Sequence, residues 1–263
     1  MTNRKILAAT ALCVIASIGL TACGSAQSKG DTGKATSPTP SPKALLDPFE
    51  GLTADQITDK ALAATKAADS LKVAGEGKDD DKHLSMEFAL SKAGDCTGRV
   101  GNTGYGQNAM LVSDKISYMK GDEAFWKQIG KETGTSAKQS TAIAEMLKGR
   151  WMKIPADQAK SMGELCNLNA LLKEMGDEDT AGVTKGQTTE VNGQKALTLT
   201  RKDGAETHTF YVATKGQPYF LKFVTEGGDE PGTLVFSDYN KPVTVTAPPA
   251  DQIVDLDKVR GRP

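Results

Sequence analysis

Histidine is nearly absent from this chain. Its 263 residues include two, His83 and His208, which leaves little for a histidine-based metal site. Four cysteines, at 13, 23, 96 and 166, are too few and too far apart for a zinc cluster. Charge of one sign is also missing: 32 Lys and Arg stand against 33 Asp and Glu, with no basic stripe, which argues against nucleic acid as a partner. Aromatic residues make up only 5%. No apolar run is long enough for a permanent membrane span. The apolar stretch near the start, Ile6 to Leu20, carries no charge and rises about 22 Å as a helix against a hydrocarbon core of roughly 30 Å.

The motifs of common chemistries are missing as well. There is no phosphate-binding loop, no His-Glu-x-x-His and no Gly-x-Ser-x-Gly elbow. Gly98, Gly101, Gly104 and Gly106 lack the strand-to-helix setting of a dinucleotide site and read as a hairpin region. Ser117-Tyr-Met-Lys120 matches Ser-x-x-Lys by letter, but the serine falls on a predicted strand. The acidic runs at Asp79–Asp81 and Asp177–Asp179 read as solvated loops. No metal, cofactor or catalytic residue is indicated.

What is present begins with an address. Arg4 and Lys5 precede the apolar run, and Leu20-Thr-Ala-Cys23 ends it, followed by Gly24-Ser25. A positive segment, an apolar segment and a small-residue site mark a signal peptide. The ending resembles the bacterial lipobox. That resemblance implies cleavage after residue 22 and a diacylated Cys23, with palmitate-type chains, as the membrane anchor. A secretory signal with a chance cysteine is the alternative. Two acyl chains suffice for stable anchoring, since each buried CH₂ contributes about 0.8 kcal/mol. Loss of Arg4 and Lys5 leaves 30 basic against 33 acidic residues, a mature charge near −3. The lipid, and not overall charge, then holds the chain at an anionic membrane.

Gly24 to Pro42 follows without a hydrophobic residue larger than alanine, and Thr36-Ser-Pro-Thr-Pro-Ser-Pro42 alternates proline with small polar residues. Such a segment cannot build a core; it reads as a disordered or polyproline-like tether. The expected organisation is a signal peptide over 1–22, a lipidated N-terminus and tether over 23–44, and one folded domain over 45–263.

Within that domain Ile57, Ala61, Ala64, Ala68 and Leu71 form an apolar stripe on a predicted helix, with Thr53 and Gln56 as a capping box. Leu84, Met86, Phe88 and Leu90 alternate with Ser85, Glu87, Ala89 and Ser91, the mark of a half-buried strand. A meander is predicted to about residue 120, then helices over Asp122–Ile129 and Lys138–Lys148. A short strand over Trp151–Pro155 carries Trp151 inward. A helical stretch over Ala156–Met175 is expected to break near Gly163. Asn192-Gly193 marks a hairpin among the later strands. Strands are also predicted at Val243–Ala247, and a turn or helix at Asp251–Val259. Meanders with intervening helices indicate an α+β domain. Cys96 and Cys166 form an even pair in an exported chain, most simply one disulfide; a redox or catalytic cysteine is the rival, without a Cys-x-x-Cys to support it.

Gly149-Arg-Trp151-Met-Lys-Ile154-Pro155 resembles the Gly-x-Trp strand of LolA-like lipoproteins, the superfamily of the LolA and LolB carriers and the LppX/LprG-type lipoproteins. Phe236-Ser-Asp-Tyr239 and the following Pro242 to Pro248 resemble its closing segment. The resemblance spans roughly residues 52–256. It implies a strongly curved antiparallel sheet, a half-barrel, with helices packed on its concave side and an apolar cavity between them. It also implies a carrier of lipids or acylated molecules without catalytic residues. The cavity lining would come from Ala64 on the helix and from Leu84, Met86, Phe88, Leu90, Leu197, Leu199, Phe210, Val212, Phe220 and Phe223 on the strands, with Trp151 as a buried anchor. An alanine-lined helix leaves two outcomes open: room for acyl chains, or direct contact of helix and sheet. Three functions therefore stand side by side: a lipid-anchored extracytoplasmic binder of an apolar ligand, a non-catalytic envelope lipoprotein acting through a protein partner, and an enzyme whose polar constellation the sequence does not display. For the anchor, Cys23→Ala is expected to release the protein from the membrane fraction; intact mass and fractionation check it, and retention of the variant on membranes sinks the idea.

Overall fold

The computed structural model describes residues 48–79, 82–177, 182–255 and 258, all within one compact unit, Leu45–Pro263. The signal segment, Cys23 and the tether lie outside the described residues.

Helix α1 spans Ala54–Ala67, and the expected capping box is present: the Thr53 side chain accepts from the Gln56 amide while the Gln56 side chain accepts from the Thr53 amide. Five strands follow as a meander, β1 (Ser70–Asp79), β2 (Lys82–Ser91), β3 (Cys96–Asn102), β4 (Gly106–Val112) and β5 (Ser117–Gly121). Helices α2 (Glu123–Glu132) and α3 (Ala137–Leu147) come next, then the short strand β6 (Trp151–Lys153). Helices α4 (Ala156–Leu165) and α5 (Leu168–Asp177) precede a second meander of β7 (Thr184–Val191), β8 (Gln194–Asp203), β9 (Glu206–Ala213), β10 (Phe220–Glu226) and β11 (Gly232–Ser237). A single 3₁₀ turn leads into β12, Ile253–Asp255.

All twelve strands join one sheet, in the order β12-β6-β5-β4-β3-β2-β1-β11-β10-β9-β8-β7. The two meanders meet where β1 pairs with β11, Val73 opposite Phe236. Every described pairing is antiparallel except β12 on β6. Asn192 and Gly193 take φ of 48° and 79°, the paired left-handed conformation of a type I′ turn, so the hairpin signal between β7 and β8 is met.

Strand register divides the side chains between two faces. The inner face carries Val73, Met86, Phe88, Leu90, Cys96, Met110, Val112, Met119 and Met152 across one half, and Leu197, Leu199, Phe210, Val212, Phe223, Leu234 and Phe236 across the other. One buried cluster joins residues of both halves to Ile57 and Ala61 of α1 and Leu168 and Leu172 of α5. A flat sheet of twelve strands would be about 50 Å wide, whereas a helix is roughly 10 Å across. For Cys96 on β3 and Leu199 on β8 to share a core with the same helices, the sheet must wrap around them. This is the open, strongly curved sheet with helices on its concave side.

Covalent and polar links fix that arrangement. Cys96 on β3 is bonded to Cys166 at the end of α4, with Cα atoms 5.6 Å apart. Closing a 70-residue loop is worth roughly 4 kcal/mol if the stabilisation is chain entropy. The segment after β11 is tied back to the start of β1. Ser70 Oγ donates to the Lys241 carbonyl at 2.6 Å, the Asp69 amide donates to Asn240 Oδ1 at 2.8 Å, and Asn240 itself sits at φ 59°. Tyr239 stacks on Tyr219 at 4.0 Å and donates its hydroxyl to the Phe220 carbonyl at 2.6 Å. Burial pushes the Tyr239 phenol far above its ordinary range.

Four expectations are corrected. The helical stretch breaks at Cys166 and Asn167, not at Gly163, because the Asn167 side chain accepts from the Ala170 amide and starts α5 afresh. The stretch Val243–Ala247 forms no strand. Of the turn or helix expected over Asp251–Val259, the first two residues lie in a 3₁₀ turn and Lys258 is helical, but Ile253–Asp255 form an edge strand; residues 256, 257 and 259 lie outside the described residues. Trp151 is not inward. In the three-residue β6 the middle residue, Met152, faces Met119 on the inner side, so alternation sends Trp151 and Lys153 outward. Trp151 is half-buried, under the Lys120 ammonium at 5.9 Å from its ring centroid.

The buried tryptophan is Trp126, 5% exposed, whose indole N–H donates to the Gly121 carbonyl at 3.1 Å. It meets Phe125 edge-on at 5.0 Å and belongs to a second cluster with Ala144, Leu147 and Val254. Truncating it opens a cavity, so Trp126→Ala is expected to cost about 3–5 kcal/mol, and Trp151→Ala about 1 kcal/mol. Urea unfolding midpoints of the two variants check the ranking, and a larger loss for Trp151→Ala reverses it.

Candidate functional site

The inner face is the candidate site, and it is incompletely covered. Among the expected lining residues, Leu90, Leu197, Leu199, Val212 and Phe220 are buried in the core. Met86, Phe88, Phe210 and Phe223 pack against that core yet stay half-buried, and Leu84 is half-buried beyond them on β2. All ten strand residues lie on the inner side. Ala64 is different: the buried line of α1 runs through Ile57, Thr58, Ala61 and Thr65, and Ala64, half-buried, lies off it.

Simple alternation would put Phe220 and Phe223 on opposite faces. A bulge between Phe220 and Lys222 prevents this by adding one residue to β10. Phe220 then faces Val212, and Phe223 faces Phe210 and Leu234, while Leu221 packs outward with Val191, Ala196 and Ala213. The result is an aromatic bed: Phe210 lies 5.8 Å from Phe220 and 4.9 Å from Phe223.

The other half of the face is furnished by thioethers. Met110, Met119 and Met152 are consecutive cross-strand partners on β4, β5 and β6, and Met86 lies further along the sheet on β2. Met119, Met152 and Leu234 are part of the surface and escaped the sequence reading. The alternation of Thr233-Leu-Val-Phe236 would have pointed to Leu234, but nothing in a strand of three residues marks Met152. Backbone room is made where a large group needs it. A Cβ on Gly98 would sit 2.2 Å from the Phe88 ring, so the phenyl rests directly on the β3 backbone.

Polar groups are few on this face. Asn108 Oδ1 is buried with no hydrogen-bond partner among the described residues. His208, stacked on Phe223 at 5.8 Å, has Nδ1 3.2 Å from Thr225 Oγ1 and Nε2 3.3 Å from Glu206. Arg201 is its cross-strand partner. The arrangement offers an apolar bed with a polar border, suited to desolvating a hydrocarbon chain and orienting one polar end.

Other candidate chemistry is not assembled among the described residues. No group of three His, Cys, Asp or Glu gathers to hold a metal. Cys96 and Cys166 are bonded to each other. Ser117 faces inward while Lys120 faces outward, so the Ser-x-x-Lys letters do not meet. No described helix is long and apolar enough to cross a membrane.

The outer face holds a separate trough of about 1000 Å³ across β11, β1, β2, β3, β4 and β5. Its floor is small, with Ala74, Ser85, Gly101 and Ala109, and its sides carry Glu87, Arg99 and Lys120. Lys72 pairs with Glu87 and holds that carboxyl below its usual range.

No protein-family model matches the sequence, and no curated protein matches it. Solved structures do. The chain is similar to LprF from Mycobacterium bovis, at 13% identity and a TM-score of 0.47, over 74% of this chain and 96% of that one. It is similar to the Mycobacterium tuberculosis lipoprotein LppX at 13% identity and a TM-score of 0.45, over 73% and 98%. An uncharacterised conserved protein from Thermus thermophilus follows at 14% identity and a TM-score of 0.33, over 77% and 98%.

The seat of Phe88 on Gly98 is testable. Gly98→Ala forces the ring off the strand, and overpacking of this kind costs about 1–3 kcal/mol. A lowered urea midpoint with an unchanged slope is expected, and an unchanged midpoint means the ring is free to move aside.

Proposed function

We propose that this protein is a lipid-anchored, extracytoplasmic lipoprotein whose folded domain, 45–263, binds an apolar or acylated ligand against the inner face of its sheet. One observation carries the reading. Large apolar side chains at the centre of a curved sheet, Met86, Phe88, Phe210, Phe223 and Leu234, pack on the core but are left half-buried. A domain stabilised only by its core gains by covering such groups, at about 25 cal/mol for each Å² removed from water. Leaving them accessible, in a row and on the concave side, suits a surface completed by a ligand. Methionine and phenylalanine accommodate chains of varied shape, the first through its flexible thioether.

On this reading Cys23 bears the diacylglyceryl anchor and residues 24–44 are the tether that lets the domain reach away from the membrane. The chemistry is carriage, without catalysis. The alternative of a lipoprotein that works through a partner on an apolar outer patch finds less support, because the exposed large hydrophobics among the described residues are two, Tyr105 and Ile143.

The protein purified from its native membrane, extracted with organic solvent and examined by mass spectrometry, is expected to yield a co-purifying lipid in near-stoichiometric amount. Met86→Gln keeps the shape of a half-buried side chain and adds a polar amide. It is expected to weaken binding of a fluorescent fatty-acyl probe several-fold with little change in melting temperature. Absence of extracted lipid together with equal probe binding by Met86→Gln and the parent overturns the carrier reading.

A further inference from the structure

The chain is nearly neutral overall, but its cations are not evenly spread. Strands β5, β6 and β12 end the sheet on one side, and three strands span only about 10 Å. On their outer face Lys120 lies over the Trp151 ring at 5.9 Å, and Lys153 is the cross-strand partner of Tyr118. Arg150, Lys153 and Lys258 line one recess there with Tyr118, of about 460 Å³. Lys148 joins Lys120 at the near end of the outer trough. Lys120 thus meets the half-buried tryptophan directly, Lys153 shares its outer face, and Arg150, Lys258 and Lys148 line the two neighbouring recesses.

Acids answer only part of this charge. Asp255 pairs with Lys153 at 3.0 Å, and Glu145 approaches Lys148 at 4.0 Å with both side chains well exposed. Glu123 faces both Lys127 and Lys148, and Asp122 accepts from the Phe125 and Gln107 amides, which leaves Lys120, Arg150 and Lys258 without a recorded acid partner among the described residues.

The geometry points to a docking surface for an anionic phospholipid bilayer at this end of the sheet, with Trp151 as the interfacial side chain. Lysine and arginine near an anionic leaflet are attracted collectively, and their long stems let the heads reach phosphates while the aliphatic parts lie flat. Tryptophan favours the same layer, its ring apolar and its N–H wet. An acidic protein partner would also meet the cations, but it gives no reason for a tryptophan set among them. The surface lies next to the Met119–Met152 end of the inner face, across the strand from it. The proposal uses the membrane-tethered reading only for context; its test is made on protein without the acyl anchor, so the two fail separately.

The test uses the chain from residue 23 with Cys23→Ala, and large vesicles of phosphatidylglycerol and phosphatidylcholine in equal parts, or of phosphatidylcholine alone, sedimented at 0.1 and 0.5 M NaCl. Binding to the anionic vesicles is expected to exceed that to neutral ones at least tenfold and to fall at least tenfold at the higher salt. The set K120Q, K148Q, R150Q and K258Q is expected to lose that binding at least tenfold. The control set K60Q, K195Q, K202Q and K215Q, equal in charge removed and at exposed positions, is expected to keep it. Trp151→Ala is expected to weaken it several-fold, and unchanged melting temperatures show that each variant is folded. Equal binding by the two sets overturns the proposal, as does Trp151→Ala binding like the parent. Binding to soluble polyglutamate but not to vesicles overturns it in favour of an acidic protein partner.

Discussion

The pairing of β1 with β11 is the contact on which the rest of the structure depends. It joins strands separated by more than 150 residues of chain and makes one sheet from two meanders. Without it each meander would have an edge of unpaired amides and a one-sided apolar face too small to bury itself. With it Val73, Phe236, Phe88 and Phe223 fall on a common surface, and α1, at the start of the domain, can sit against strands from the end of the chain. The ties from Asp69 and Ser70 to Asn240 and Lys241 close the same seam at its end, and the Tyr219–Tyr239 stack braces it.

Much of the local structure was legible in the sequence because local causes produce it. The capping box at Thr53, the Asn192-Gly193 turn and the alternation in Leu84–Ser91 need only neighbouring residues. The pairing of Cys96 with Cys166 followed from counting and compartment. What failed shows where such reasoning stops. Trp151 was placed inward because tryptophan is a large apolar group, but direction in a three-residue strand is decided by Met152, whose partner Met119 comes from elsewhere in the chain. Trp126, the buried one, sits on a helix whose covering residue Val254 lies over a hundred residues away. A parallel edge strand of three residues such as β12 leaves no periodic mark at all.

The inner face was legible in composition but not in extent. Ten of its strand residues are named from the sequence and lie on the inner side, but Met119, Met152 and Leu234 are not among them, and only the bulge in β10 puts Phe220 and Phe223 on one face. Alternation alone could not separate those that complete the core from those the core leaves half-covered, because coverage is set by where α1, α4 and α5 come to rest. Helix α4 is placed by a covalent bond to β3, and α1 by the width between its alanines and the sheet. The functional reading thus depends on a difference in burial between Leu90 and Phe88, two residues apart on one strand and identical in pattern.

The bulge in β10 gives the sheet a mechanical asymmetry. By turning Leu221 outward it builds a second small core on the outer side, with Val191, Ala196 and Ala213, behind the phenyl groups of the inner side. Around the bulge the sheet is thus apolar on both faces, and its aromatic rings have few alternative rotamers. The opposite wing has methionines inside and lysines outside, with short strands at its edge and long, easily rearranged side chains on either face. A sheet stiffened on one wing and compliant on the other deforms where it is compliant. A change in the volume enclosed by the curve is expected to be taken up first by the flexible thioethers of β4, β5 and β6 and last by the aromatic rings.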